Sequence, residues 1–190
     1  ILNMKKVVFL GLGYIGLPTA AVAAAHGFEV IGVDVNPSVV ETINQGKIHI
    51  VEPELGQVVR DVVQKGKLRA VCKPEAADAF FIVVPTPFKQ NHRADITYVE
   101  AATRSVIPYL QEGNLFVIES TSPVYTERMA EVIYKERPEL KGKIHIAYCP
   151  ERVLPGNTLY ELVHNDRVIG GIDPASVSYT HLRAHETRGN

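Results

Sequence analysis

Val7–Ala20 reads VVFLGLGYIGLPTA and Val30–Asp34 reads VIGVD, so an apolar strand opens into Gly11, Gly13 and Gly16 and a second apolar strand ends on an acidic residue. Each glycine has a separate task in such a turn. Gly11 permits the tight bend, Gly13 lets the backbone approach a pyrophosphate, and Gly16 lets the following helix pack closely. The helix beginning near Tyr14 leaves its first N–H groups without intrahelical partners, which makes its start an anion site. A glycine-rich strand end on its own is a common turn, so the context decides. Here an alanine-rich helix follows, stops at His26-Gly27, and leads into a strand closed by Asp34, at close to the ~20-residue distance of a carboxylate that binds the adenosine ribose hydroxyls. Asp34 would repel a 2′-phosphate and no Arg follows it directly, so NAD is favoured over NADP.

Outward from this unit, strand-like and helix-like runs alternate. Strands are expected at Lys6–Leu10, Glu29–Val33, Leu68–Val71, Ala79–Val84, Leu115–Glu119 and Lys143–Ala147. Helices are expected at Tyr14–His26, Ser38–Gln45, Pro53–Lys65, Ile96–Leu110 and Thr126–Glu136, the third with Pro53 in its first turn and Gly66 at its end. This alternation predicts an α/β fold, a doubly wound and mainly parallel sheet of Rossmann type in one domain over residues 4–176. Ligands of such sheets gather at the carboxyl ends of the strands. Three loops there carry unusual residues: Pro85–Lys89, Ser120–Pro123 and Cys149–Gly156. Each has a bland reading as a rigid turn, a helix cap or a solvated ion pair. Their expected meeting at one sheet edge beside the glycine turn favours a shared site.

Composition narrows the classes. The chain has 190 residues, 46% hydrophobic, with a formal net charge of −1, which suits one ordinary globular domain. Scattered Lys and Arg give no nucleic-acid surface, no apolar run approaches a membrane span, and a cytoplasmic location is the default. The two cysteines, Cys72 and Cys149, are far apart and are expected to be reduced, buried thiols. No metal site is expected, since His181 and His185 in the polar run 177–190 lack a third ligand. That run departs from the pattern of the rest, reads as a disordered, non-native tail, and is set aside from the fold.

The strings GLGYIGLPTAA, VIGVDVN, INQGKIHIVEPEL, VPTPFK, DITYVEAA, ESTSPV, AYCPERVLPG and NDRVIGG resemble the UDP-glucose/GDP-mannose dehydrogenase family, and most closely its N-acetylmannosamine branch. The resemblance implies an NAD-dependent, four-electron oxidation of a nucleotide-sugar C6 alcohol to a carboxylate, with a UDP-sugar as substrate. It implies that Tyr14 and Ile15 give backbone donors to the pyrophosphate, that Asp34 binds the ribose, and that Thr86 and Thr126 make further NAD contacts. Thr121 resembles the threonine that helps hold the active-site water, Glu151 the carboxylate that assists water attack, and Arg152 and Val153 the sugar-nucleotide contacts. Pro155 stands where some members carry a second glutamate, as it does in the N-acetylmannosamine branch. The family's thiolate nucleophile, catalytic lysine and asparagine, and the central helix that builds its homodimer, have no counterpart in these 190 residues, so the chain reads as an N-terminal fragment. Two alternatives stand beside this expectation: oxidation of UDP-glucose or another UDP-sugar by the same chemistry, and a stand-alone NAD-binding module without catalysis.

Overall fold

A computed structural model describes residues 4–87, 95–121, 126–151, 153–154 and 156–176. Seven strands form one sheet: β1 (Lys6–Leu10), β2 (Glu29–Val33), β3 (Leu68–Val71), β4 (Ala79–Ile82), β5 (Leu115–Ile118), β6 (His145–Tyr148) and β7 (Gly170–Gly171), in the order β3-β2-β1-β4-β5-β6-β7. The first six pair in parallel and β7 runs antiparallel to β6. The strand order reverses between β1 and β4, so the crevice of a doubly wound sheet opens at the end of β1.

The apolar runs read as strands because both faces of the sheet are covered. In β1, Val7 and Phe9 enter one core with α1 (Gly16–Ala25), α2 (Pro37–Asn44) and α3 (Leu55–Gln64). Val8 and Leu10 enter the other, against α4 (Thr97–Val106) and α5 (Thr126–Glu136). A sixth helix, α6 (Thr158–His164), returns to the first face and packs on α1. The outer edge of β3 is covered by a side chain: Asn44 of α2 donates to the Ala70 carbonyl at 2.9 Å and accepts from the Ala70 N–H at 2.8 Å, replacing a missing neighbour strand.

Most expected elements are present within one or two residues. The alternation of apolar and helical runs therefore did define the fold, with local differences that have local causes. The fourth helix stops at Val106 and tightens into a 3-10 turn over Ile107–Tyr109, because Pro108 cannot donate to a continuing helix. Pro53 does not occupy the first turn of α3. That helix starts at Leu55, after Glu54 in a left-handed conformation at φ 63°, and the Pro53 carbonyl accepts from the Leu55 N–H. The sixth strand lies at His145–Tyr148 rather than Lys143–Ala147, and β7 and α6 were not expected at all. Cys149 is buried as anticipated, whereas Cys72 is exposed. Among the described residues no helix is long and apolar enough to cross a membrane. The run 177–190, with its expected disorder and its His181 and His185, lies outside the described residues.

Candidate active site and cofactor cleft

β1 ends at Leu10, and Gly11 turns the chain at φ +97°, its N–H donating 2.8 Å to the Val33 carbonyl at the end of β2. A side chain here would be strained by the backbone and would meet the Val83 carbonyl oxygen at 2.4 Å. At Gly16, the first residue of α1, a Cβ would lie 1.8 Å from the Gly11 carbonyl oxygen. The third glycine differs. A Cβ on Gly13 would meet nothing within 4 Å, so its lack of a side chain serves the space outside the protein rather than the packing. Ile15 caps α1 without a side-chain hydrogen bond. Among the described residues, the N–H groups of Gly13, Tyr14 and Ile15 have no protein acceptor. Open space above a glycine and a set of unpaired donors at a helix start together fit the pyrophosphate of a dinucleotide.

Asp34 lies beside this turn and is already organised. Its Oδ2 accepts from the Leu12 N–H at 3.2 Å and its Oδ1 from the Asn36 N–H at 2.9 Å, so the carboxylate ties the glycine loop to the end of β2 while each oxygen retains further acceptor capacity. Asp34→Ala is expected to weaken NAD binding by about 1–3 kcal/mol, the range for losing a charged hydrogen-bond partner. Titration calorimetry on the variant checks this, and unchanged affinity would exclude Asp34 as the ribose ligand.

The loops after β4 and β5 are joined at the same edge. The Thr86 hydroxyl donates to the Thr121 carbonyl at 3.2 Å, and the buried Ser120 hydroxyl donates to the Val84 carbonyl at 2.7 Å. Thr126 opens α5 and is buried. The structure thus brings Thr86 and Thr121 together. Of the other expected contacts, Val153 is half-buried in the loop after β6, while Arg152, Pro155, Ser122, Pro123 and the stretch Phe88–Lys89 lie outside the described residues.

Glu151 follows β6 with only 8% of its side chain exposed, held by Arg167 Nη2 at 2.8 Å. Arg167 Nη1 also reaches Glu119 Oε1 at 3.2 Å. Glu119 sits one residue past β5 with a side chain 1% exposed. Burial pushes its carboxyl up to about 7; Arg167 opposes that shift and Glu151 adds to it. The neighbouring Cys149 thiol is pushed up to about 11, by burial first and by Glu119 next, so it is a protonated thiol at neutral pH and no nucleophile. Glu119 carries a testable pH dependence. Because its folded value lies above the ordinary 4.5, the folded state binds the extra proton between the two values. Stability should fall by about 3 kcal/mol as pH rises from ~4.5 to ~7. Urea denaturation across that range is expected to show the decline in the wild type and a flatter profile in Glu119→Gln.

A second buried carboxylate is Glu52, from the string VEPEL. It is buried and crosses to the loop after β6, accepting from the Gly156 N–H at 3.0 Å and the Thr158 N–H at 2.7 Å. It is therefore the cap of α6, supplied from more than a hundred residues away. Glu119, Arg167 and Glu52 had faint signals in the sequence: an acid closing a wholly apolar strand, an Arg before a Gly-Gly pair, and an acid before a proline. None specifies a partner. Among the described residues no cluster of His, Cys, Asp and Glu could hold a metal ion. A cleft of about 440 Å³ around Met4, His26, Glu29 and Lys67 lies at the start of β1 and β2, the sheet edge opposite these loops, and holds none of this chemistry.

The family model for the UDP-glucose/GDP-mannose dehydrogenase family, NAD binding domain, matches residues 5–184. The chain belongs to this family. As its NAD-binding domain, it is 54% identical over 182 residues to the UDP-N-acetyl-D-mannosamine dehydrogenase of Yersinia pestis, covering 91% of this chain and 43% of that protein. It is 52% identical over the same length to the NDP-N-acetyl-D-galactosaminuronic acid dehydrogenase of Ralstonia nicotianae, with the same two shares covered. Among solved structures, the native UDP-N-acetyl-mannosamine dehydrogenase Cap5O from Staphylococcus aureus superposes with a TM-score of 0.90 at 41% identity, over 96% of this chain and 45% of that one. The chain thus spans under half the length of these dehydrogenases, and the part it spans is the one that carries the glycine turn.

Proposed function

We propose that this chain is the cofactor half of an NAD-dependent nucleotide-sugar 6-dehydrogenase whose substrate is UDP-N-acetyl-D-mannosamine. The overall change is RCH2OH + 2 NAD+ + H2O giving RCOO− + 2 NADH + 3 H+. NAD, when bound, supplies the hydride acceptor; Gly13, Tyr14, Ile15 and Asp34 would hold it, with Thr86 and Thr126 as further contacts. Thr121 orients water through its hydroxyl, and Glu151 takes the proton as that water attacks. Arg152 and Val153 belong to the sugar-nucleotide side. The single observation that carries the reading is the placement of Glu151, a carboxylate fixed by Arg167 at 2.8 Å on the strand edge that the dinucleotide turn also occupies. A buried, protonated Cys149 does not serve as the nucleophile, and Cys72 follows β3 at the far edge of the sheet from Glu151, so the covalent stage belongs to a segment of the whole protein outside these residues. The homodimer through a central helix belongs there too. We place this oxidation of a nucleotide sugar by NAD in the cytoplasm.

The similarity to an N-acetylgalactosaminuronic acid dehydrogenase at 52% identity favours a second substrate, another UDP-N-acetylhexosamine, by the same chemistry. A panel of UDP-sugars offered to the whole protein separates the readings. Two NADH per UDP-N-acetyl-D-mannosamine is the expected outcome. Turnover confined to UDP-glucose or a galacto sugar would reassign the substrate, and NAD binding without turnover of any sugar would leave a non-catalytic binding module.

A further inference from the structure

Glu119 Oε2 is a buried carboxyl oxygen with no hydrogen-bond partner among the described residues. A polar atom left this way is costly and calls for a reason. The apolar strand β5 carries the carboxyl directly into the interior, where the charged and titratable groups that face it are Arg167 from the segment before β7, Glu151 from the loop after β6, and the Cys149 thiol at the end of β6. Arg167 is the centre of the group. One guanidinium nitrogen is committed to Glu119 at 3.2 Å and the other to Glu151 at 2.8 Å. A guanidinium is a rigid plane, so seating one edge on an enclosed carboxyl fixes where the other edge can hold its partner. Glu119 is enclosed, its side chain 1% exposed at the end of β5, whereas Glu151 lies in the loop after β6.

Resting on the reading of Glu151 as the working carboxylate, we propose that Arg167, braced on Glu119, is the positioning residue that holds Glu151 in its catalytic orientation. The brace works with Glu119 neutral. The cluster then has one cation for one anion, and Arg167 directs its charge to Glu151. Ionisation of Glu119 sets two anions against one cation and draws Arg167 inward, loosening its hold on Glu151. A protonated Glu119 also accounts for the orphan oxygen, because a neutral hydroxyl is far cheaper to leave unpaired than half of a carboxylate.

The test uses the whole protein and five variants. Arg167→Ala and Glu119→Ala are expected to lower kcat tenfold or more while KM for NAD changes less than threefold. Glu119→Gln, which keeps an acceptor for Arg167 but cannot ionise, should rescue most of the loss and remove the near-neutral limb from the pH profile of kcat. Arg167→Lys should not rescue, since one ammonium cannot span both carboxyls in a plane. Isotope-edited infrared spectra with labelled glutamate give a reading independent of turnover: the Glu151 carboxylate band, identified by its loss in Glu151→Gln, should shift alike in Arg167→Ala and Glu119→Ala and stay near wild type in Glu119→Gln. Glu119→Ala with wild-type kcat and an unmoved Glu151 band would overturn the proposal, as would Glu119→Gln as damaged as Glu119→Ala. A wild type that turns over no nucleotide sugar, yet shows these band shifts, would instead sink the assigned reaction and leave the brace standing.

Discussion

Alanine at Gly16 should cost the domain about 3 kcal/mol or more, whereas alanine at Gly13 should leave the fold intact and cost only the cofactor. The contrast follows from what each added Cβ meets. At position 16 it would lie 1.8 Å from the Gly11 carbonyl oxygen, a backbone atom that no side-chain rotation can move, so α1 must shift off the end of β1 and uncouple its packing in the core. At position 13 it meets nothing of the protein within 4 Å and the backbone is not left-handed. The methyl group would stand instead where a pyrophosphate comes closest to the chain. Thermal melts of Gly13→Ala should fall within ~1 °C of wild type, under the ~2–4 °C shift that a 1 kcal/mol change gives in a domain of this size. Calorimetry should show NAD affinity reduced at least tenfold, about 1.4 kcal/mol. Equal destabilisation of both variants would mean that Gly13 serves the turn and not a ligand.

The second large effect is expected at Glu52. Replacing it by alanine leaves the Gly156 and Thr158 N–H groups without their acceptor, and Thr158 is buried. A charge-assisted bond is lost at each, and a buried donor left unmet costs ~1–3 kcal/mol, so a total of about 2–5 kcal/mol is expected from urea denaturation at pH 7. The pH dependence carries its own sign. Burial raises the Glu52 carboxyl, but the backbone N–H groups of Gly156 and Thr158, with the Thr158 hydroxyl, outweigh it and hold the group below the usual value of 4.5. Its contribution is therefore present above pH ~4.5 and is lost as pH falls through the lower folded value. The gap between wild type and Glu52→Ala should narrow on acidification. A gap that stays constant would show that the loss is one of packing alone. Because Glu52 secures the loop that follows Glu151, the same variant should also impair turnover in the whole protein.

Glu119 and Glu52 show how similar residues acquire opposite behaviour. Both are buried glutamates facing the loop after β6. Glu52 receives two backbone donors and stays ionised, while Glu119 is driven toward neutrality by burial, which a guanidinium shared with a second acid does not offset. Acid pH thus weakens the domain through one and strengthens it through the other.

Much of this was readable in residue order. The apolar runs of β1, β2, β4 and β5 are continuous because helices cover both sheet faces, and their spacing with helical stretches leaves few topologies. The glycine turn and Asp34 could be assigned together since strand, turn, helix and strand are consecutive, so local backbone geometry sets their relation. Thr86, Thr121 and Glu151 were placed at one edge by the rule that parallel strands bring their carboxyl ends together. Arg167 and Glu52 resisted that reading. Arg167 reaches the site because β7, only Gly170–Gly171, returns antiparallel to β6, so the residues just before it arrive at the carboxyl edge. A two-residue strand has no periodicity to reveal it. Pro53 misled for a similar reason: its position before a helical run suits a first-turn proline, but the cost of the left-handed Glu54 is accepted in a segment where Glu52 must face α6.

By itself the sequence determined the doubly wound sheet, the dinucleotide turn and the edge at which chemistry gathers, all of which follow from hydrophobic period and local backbone constraint. Only the tertiary structure decided which carboxylates are ionised, which Arg holds Glu151, and what caps α6. Those depend on burial and on partners brought from distant points in the chain, and electrostatics in a low-dielectric interior is set by such neighbours rather than by residue order.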